Sequence, residues 1–190
     1  MSTFDEVHIL SIQLFQKIEK SYYYAIALKT IFDFTKEGKY NDNNNFVELS
    51  KESMVSTLFL EIAKVFDEAK KNKNKNCSLK RLQEICKKEL RLKDRQQSID
   101  DKFEYILDKW NNDYSTIKNA RNKLIAHNDL NAMFLFESNT ISIEEILVFI
   151  DEITDLVNYV FESFLGVKFS LDKEKIALQY RESFSQFLNL

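Results

Sequence analysis

The 190 residues contain no proline and only two glycines. A sheet protein of this size turns often, and its turns draw on Gly and Pro. Their scarcity leaves long helices joined by polar loops as the fold this chain can build. With 44% hydrophobic residues there is enough apolar surface for one substantial core, and nothing in the composition demands a second. The expectation is an all-α bundle of four to five core helices plus a C-terminal helix, with residues 1–190 forming a single domain.

Apolar spacing and capping residues place the helices. Thr3, followed three residues later by Glu6, reads as a capping box. It opens a helix on which Val7, Leu10, Leu14, Ile18, Tyr22, Ala25 and Phe32 recur at helical spacing up to Gly38, with room for a bend near Ser21. A second helix is expected over 47–69, with Met54, Leu58, Ile62 and Val65 inward. The KKNKNKN stretch after it is low in complexity, has nothing to pack and is expected to be a mobile loop. Ser78 can cap a helix bearing Leu79, Leu82, Ile85, Cys86 and Leu90, and Ser98 with Asp101 can start the next, through Phe103, Ile106, Leu107 and Trp110. A further helix begins after Asn111, Asn112 and Asp113, with Ile117, Ala120 and Leu124 as its buried stripe. Residues 131–142 change period and read as an irregular or briefly extended connection. Ser142 with Glu145 is a second capping box, and Ile146, Ile150, Ile153, Val157, Val160, Phe161 and Phe164 form an apolar face that ends at Gly166, a C-cap. A last helix from about residue 172 packs Ile176, Tyr180, Phe184 and Phe187.

Several function classes drop out. Cys77 in a polar loop and Cys86 on a helix face build neither a disulfide framework nor a metal set, which suits a reducing compartment. The opening MSTFDEVHIL carries acids where a signal peptide needs basic and then apolar residues, and no run of about 18 apolar residues occurs. The expected location is the cytoplasm, with no membrane partner. The acids Glu144, Glu145, Asp151, Glu152 and Asp155 lack a matching histidine and read as a solvated face, so no metal or other cofactor is expected. His8 reads as an ordinary helix residue. Tyr22, Tyr23 and Tyr24 read as core or dimer packing, with base stacking as the alternative.

Charge is segregated. Between Lys70 and Arg95 there are eleven basic residues against three acids, a net of +8, whereas the whole chain carries −3 and the remainder therefore −11. Such a segment lets a mildly acidic protein hold a polyanion. Lys70, Lys71, Lys73, Lys75, Lys80 and Arg81 are the candidate RNA-binding residues; the alternative is a solvated helix face beside a basic loop.

The stretch richest in chemistry is NARNKLIAHNDL, residues 119–130. His127 is one of two histidines, and histidine is the side chain best suited to take and give a proton near neutral pH. Arg121 supplies a permanent forked charge suited to phosphate. On one helix a six-residue offset sets the two about 120° apart around the axis and about 9 Å apart along it. They flank a surface rather than touch. A two-fold second copy would bring two arginines and two histidines around one cleft. Metal-free cleavage of a phosphodiester beside a free hydroxyl needs a base for that hydroxyl, a cation for the phosphoryl oxygens and an acid for the departing oxygen, and His127 and Arg121 fit these roles. Lys123, four residues before His127 on the same side, could hold phosphate and would disfavour a doubly cationic pair. The alternative is a helix end where Arg121 makes a surface ion pair and His127 meets terminal carbonyls.

Residues 121–129, R-N-K-L-I-A-H-N-D, resemble the arginine, polar residue, spacer and histidine signature of HEPN domains, which are small and all-helical. With Asn122, Lys123, Ala126 and Asp129 the stretch is most similar to the abortive-infection AbiU-type branch, whose members have about this length. The bare spacing is a weak motif; the flanking residues and the position late in a helical chain make it specific. The resemblance implies a HEPN-like bundle, a two-fold homodimer that unites both motifs, and a metal-independent endoribonuclease of an antiphage abortive-infection or toxin–antitoxin system, leaving a cyclic phosphate on its product. Arg121 and His127 are then the catalytic residues, while Asn122 and Asp129 orient the histidine or line the pocket. The implied partners are an RNA substrate and an antitoxin or other defence-system protein. The alternative is a non-catalytic HEPN module that holds RNA, a nucleotide or a protein. One departure matters: a toxin branch carries a tyrosine two residues after the histidine, and Asp129 stands here, so silencing by nucleotide transfer onto that position is impossible as such.

Overall fold

The computed structural model describes residues 2–39, 45–71, 74–111, 115–119 and 141–188. Helix α1 (Thr3–Lys36) is its axis, 34 residues long, which at 1.5 Å per residue is about 51 Å. The N-cap is Ser2, whose hydroxyl accepts the Asp5 amide at 3.1 Å while the Asp5 carboxylate accepts the Ser2 amide at 3.0 Å. The box therefore sits one residue before the expected Thr3 and Glu6, because an aspartate at the third helical position is long enough to reach back. The helix passes Ser21 unbroken, and that hydroxyl donates to the Lys17 carbonyl at 2.9 Å. Ala25, Ile26, Ala27 and Leu28 are all buried. Four consecutive buried residues mean neighbours on every side, as only a central helix has. At the far end Gly38 has φ of 67°, and the amides of Gly38 and Lys39 bond the carbonyls of Thr35 and Phe34, a paired C-terminal cap that relies on the left-handed glycine.

Helix α2 (Asn45–Phe66) buries Val55, Leu58, Phe59, Ile62, Ala63, Val65 and Phe66, with Met54 half-buried. It ends earlier than the apolar spacing suggested. The basic stretch after it is not wholly irregular: strand β1 (Lys70–Lys71) pairs antiparallel with β2 (Asn74–Lys75), Lys70 opposite Lys75. Asn76 closes the base, its amide donating to the Ala69 carbonyl at 3.0 Å and its side chain to the Glu68 carbonyl at 2.8 Å. Backbone pairing makes this hairpin, so side-chain pattern gave no sign of it.

Ser78 caps α3 (Leu79–Cys86), which buries Leu79, Leu82, Ile85 and Cys86. The expected continuation to Leu90 is replaced by a 3-10 turn over Leu90–Arg95 that runs straight into α4 (Gln96–Lys109). Because the turn feeds the helix directly, α4 has no side-chain cap, and Ser98, expected to start it, lies within its first turn. Ile99, Phe103, Ile106 and Trp110 face inward. Helix α5 (Ile143–Leu165) carries the expected Ser142–Glu145 box and ends at Gly166 in the left-handed region. Its inward face joins α1 to α4, and most buried residues of α1 to α5 form one contiguous cluster, while Ile31, Phe34 and Val47 form a smaller second one at the far end of α1.

Helix α6 (Lys173–Phe187), capped by Asp172, packs on α1. It buries Ile176 and half-buries Tyr180 and Phe184, but Phe187 is 50% exposed and does not join the core as expected. Arg181 fixes this helix to the end of α1 through both oxygens of Glu37, at 2.9 and 3.0 Å. Tyr22 is buried and Tyr23 and Tyr24 pack against the core, which agrees with the packing reading of the tyrosine run. No described helix is long and apolar enough to cross a membrane.

Candidate functional site

Arg121, Asn122, Lys123, His127 and Asp129 lie outside the described residues, as do Ala120, Leu124 and the connection over 131–140. Both flanks of that stretch are described, and both are anchored in the core. On the entry side Trp110 is 7% exposed; its ring meets Phe149 of α5 edge-on at 5.0 Å, and its indole N–H donates to the Glu152 carboxylate at 2.8 Å. Lys109 pairs with the other Glu152 oxygen. Ser115 donates to the Asn111 carbonyl at 2.8 Å, residues 115–119 are helical, and Ile117 is buried as its spacing predicted. On the exit side Ile141 and Ile143 are buried, and Glu144 reaches Lys29 of α1 at 3.2 Å.

The acids of α5 are therefore not merely a solvated face. Glu145 caps the helix, Glu144 and Asp151 pair with Lys29 and Lys173, and Glu152 holds Trp110. Among the described residues no group of three or more His, Cys, Asp or Glu is placed to hold a metal ion. His8 lies half-buried between the rings of Phe4 and Phe161, at 6.5 and 5.7 Å, as a packing residue.

The tertiary structure sorts the basic segment. The backbones of Lys70, Lys71 and Lys75 form the hairpin, and Lys73 lies outside the described residues. Lys80 pairs with Glu68 at 2.6 Å, Arg81 with Glu6 of α1, and Lys87 with Asp100 at 3.2 Å. Arg81 is only 12% exposed in its side chain and ties α3 to α1.

A different group of basic residues faces outward at the seam between α4 and α5. Arg95 donates to the Ser163 hydroxyl at 3.2 Å, Ser98 and Tyr159 share a hydroxyl hydrogen bond of 2.8 Å, and the Lys102 ammonium lies 4.7 Å from the Tyr159 ring centre. Positions 98 and 102 are one turn apart on α4, Arg95 is the N-cap residue that leads into it, and 159 and 163 are one turn apart on α5. Sequence reasoning counted Arg95 in the basic segment without singling it out, and passed over Lys102. Their partners are some 60 residues away, so no local pattern could reveal the seam.

The family model described as AbiU2, of HEPN type, matches residues 6–187, so it takes in the motif stretch, both of its anchored flanks and all of the described helices but the first three residues of α1. Comparisons with curated proteins and with solved structures return no match.

Proposed function

The chain belongs to the AbiU2 family of HEPN domains, an abortive-infection branch, and from that premise we propose that it is a metal-independent endoribonuclease acting in antiphage defence. The observation that carries this reading is that the matched span contains R-N-K-L-I-A-H-N-D, with Arg121 and His127 in the order and spacing of the HEPN signature and of the residue types the chemistry uses. One His127 takes the proton of the ribose 2′-hydroxyl, a second protonates the departing 5′-oxygen, and the arginines carry the charge that gathers on the phosphoryl oxygens. Two copies of His127 require two protomers, so the working unit is a two-fold homodimer with a composite cleft. Asn122 and Asp129 orient the imidazole or line the cleft, and Lys123 holds phosphate. An antitoxin or another defence protein restrains the enzyme by means other than modification at position 129.

The test is cleavage of RNA by purified protein in excess chelator. Products with 2′,3′-cyclic phosphate ends, lost by about 10²-fold or more in His127→Ala, are the expected result. Retention of RNA without products, unaffected by that substitution, would identify a binding module instead.

A further inference from the structure

We propose that the α4/α5 seam binds the phosphodiester backbone of an RNA strand through Arg95 and Lys102; the choice of RNA rests on the reading above. Both side chains are exposed, and among the described residues neither has a carboxylate within ion-pair distance. This sets them apart from Lys80, Arg81 and Lys87, whose charges are already met. The acids adjacent in sequence to the seam residues or one helical turn from them are Asp94, Asp101, Asp155 and Glu162, of which Asp101 accepts from Gln97 at 2.7 Å and Glu162 pairs with Lys168 at 3.1 Å. Asp94 and Asp155 are exposed and pair with neither cation.

The cations are held in place by groups that do not neutralise them. Arg95 gives one N–H to Ser163 and keeps the rest of its fork for a ligand, while Lys102 rests over the Tyr159 ring with the donors on its outer side left for one. Lys102 stands seven residues beyond Arg95, the N-cap of α4, a rise of about 10 Å at helical pitch. That spacing suits successive points on a strand better than one small anion. The aromatic group of the seam is already engaged: one face of the Tyr159 ring is under Lys102, and its hydroxyl is bonded to Ser98. Contacts of this kind position a strand without specifying its sequence.

The test uses the full chain carrying His127→Ala, so that bound RNA stays intact, and labelled single strands of two unrelated sequences followed by anisotropy. Each phosphate contact on a single strand contributes about 0.7 to the slope of log affinity against log salt, so Arg95→Gln with Lys102→Gln lowers the slope by about 1.4. Between about 50 and 200 mM salt the parent then loses about sevenfold more affinity than the double variant, equally for both sequences. Lys80→Gln, whose charge is already paired, serves as the control. A double variant whose slope matches that control overturns the inference. So does displacement of RNA by inorganic phosphate at matched ionic strength, which would reveal a single-anion site. Cleavage by the unmutated chain alongside an unchanged slope defeats this inference alone, whereas a reduced slope without cleavage defeats only the enzymatic reading.

Discussion

Replacing Glu152 by leucine isolates what holds the entry to the motif stretch. Glu152 is the acceptor for the indole N–H of Trp110, a donor on a residue only 7% exposed, at 2.8 Å. Leucine keeps volume against the ring but leaves that donor buried without its partner, which costs about 1–3 kcal/mol. The Lys109 ion pair is open to solvent and adds little. For a chain of this size about 2 kcal/mol lowers the melting temperature by about 4–8 °C. Glutamine retains an acceptor in the same place, so Glu152→Gln is expected to lose less than about half of that. Trp110 is the sole tryptophan, and its emission in a thermal or urea titration reads the altered contact itself. Equal stability of Glu152→Leu and the parent, or equal losses in the leucine and glutamine variants, would refute the assignment of the hydrogen bond as the anchor.

Two further predictions concern titrating groups. Burial pushes the Glu61 carboxyl upward, but the ammonium groups of Lys64 and Lys20, at 3.1 and 3.2 Å, outweigh it and leave the group below its ordinary 4.5. Its folded value is thus lower than its unfolded one, and its contribution is fully present above about 4.5 and lost as pH falls through the folded value; urea midpoints measured from about pH 6 down to 3 are expected to fall more steeply in the parent than in Glu61→Gln. Burial, then the nearby Asp100 charge, pushes the Cys86 thiol up to about 12, and burial also raises the half-buried Cys77. In a native chain treated with a thiol reagent at mildly basic pH, Cys77 is expected to react first and Cys86 only as fast as the fold opens; two thiols reacting at the rate of the urea-unfolded chain would contradict this.

The helices were legible where an element announces both its ends. Ser142, Glu145 and Gly166 bracket α5 with residues that satisfy its terminal amides and carbonyls, and its apolar face lies between them. Boundaries set by backbone continuity were not legible, as at α4, whose start needs no cap because a 3-10 turn feeds it. The hairpin after α2 escaped for a related reason: two-residue strands of lysine and asparagine carry no alternation of apolar and polar side chains to betray them. The net +8 of the basic segment was correct as a sum, yet it could not say which charges remain available. Glu6, Glu68 and Asp100 decide that, and only the fold brings them to Arg81, Lys80 and Lys87. For the candidate site, Arg121 and His127 were found by residue chemistry, spacing and family resemblance. Apolar spacing also foresaw Trp110 and Ile117 as inward; the structure adds their distant partners, Phe149 and Glu152 at Trp110, which no local pattern names.

The measurement that bears most directly on the central claim is RNA cleavage, in excess chelator, by dimers assembled at random from equal amounts of unmutated and His127→Ala subunits. If one cleft needs a histidine from each protomer, only dimers of two unmutated subunits cut, and activity falls to about a quarter of the all-unmutated sample. Activity that falls only to about a half would show that each protomer cuts alone and would contradict the composite cleft.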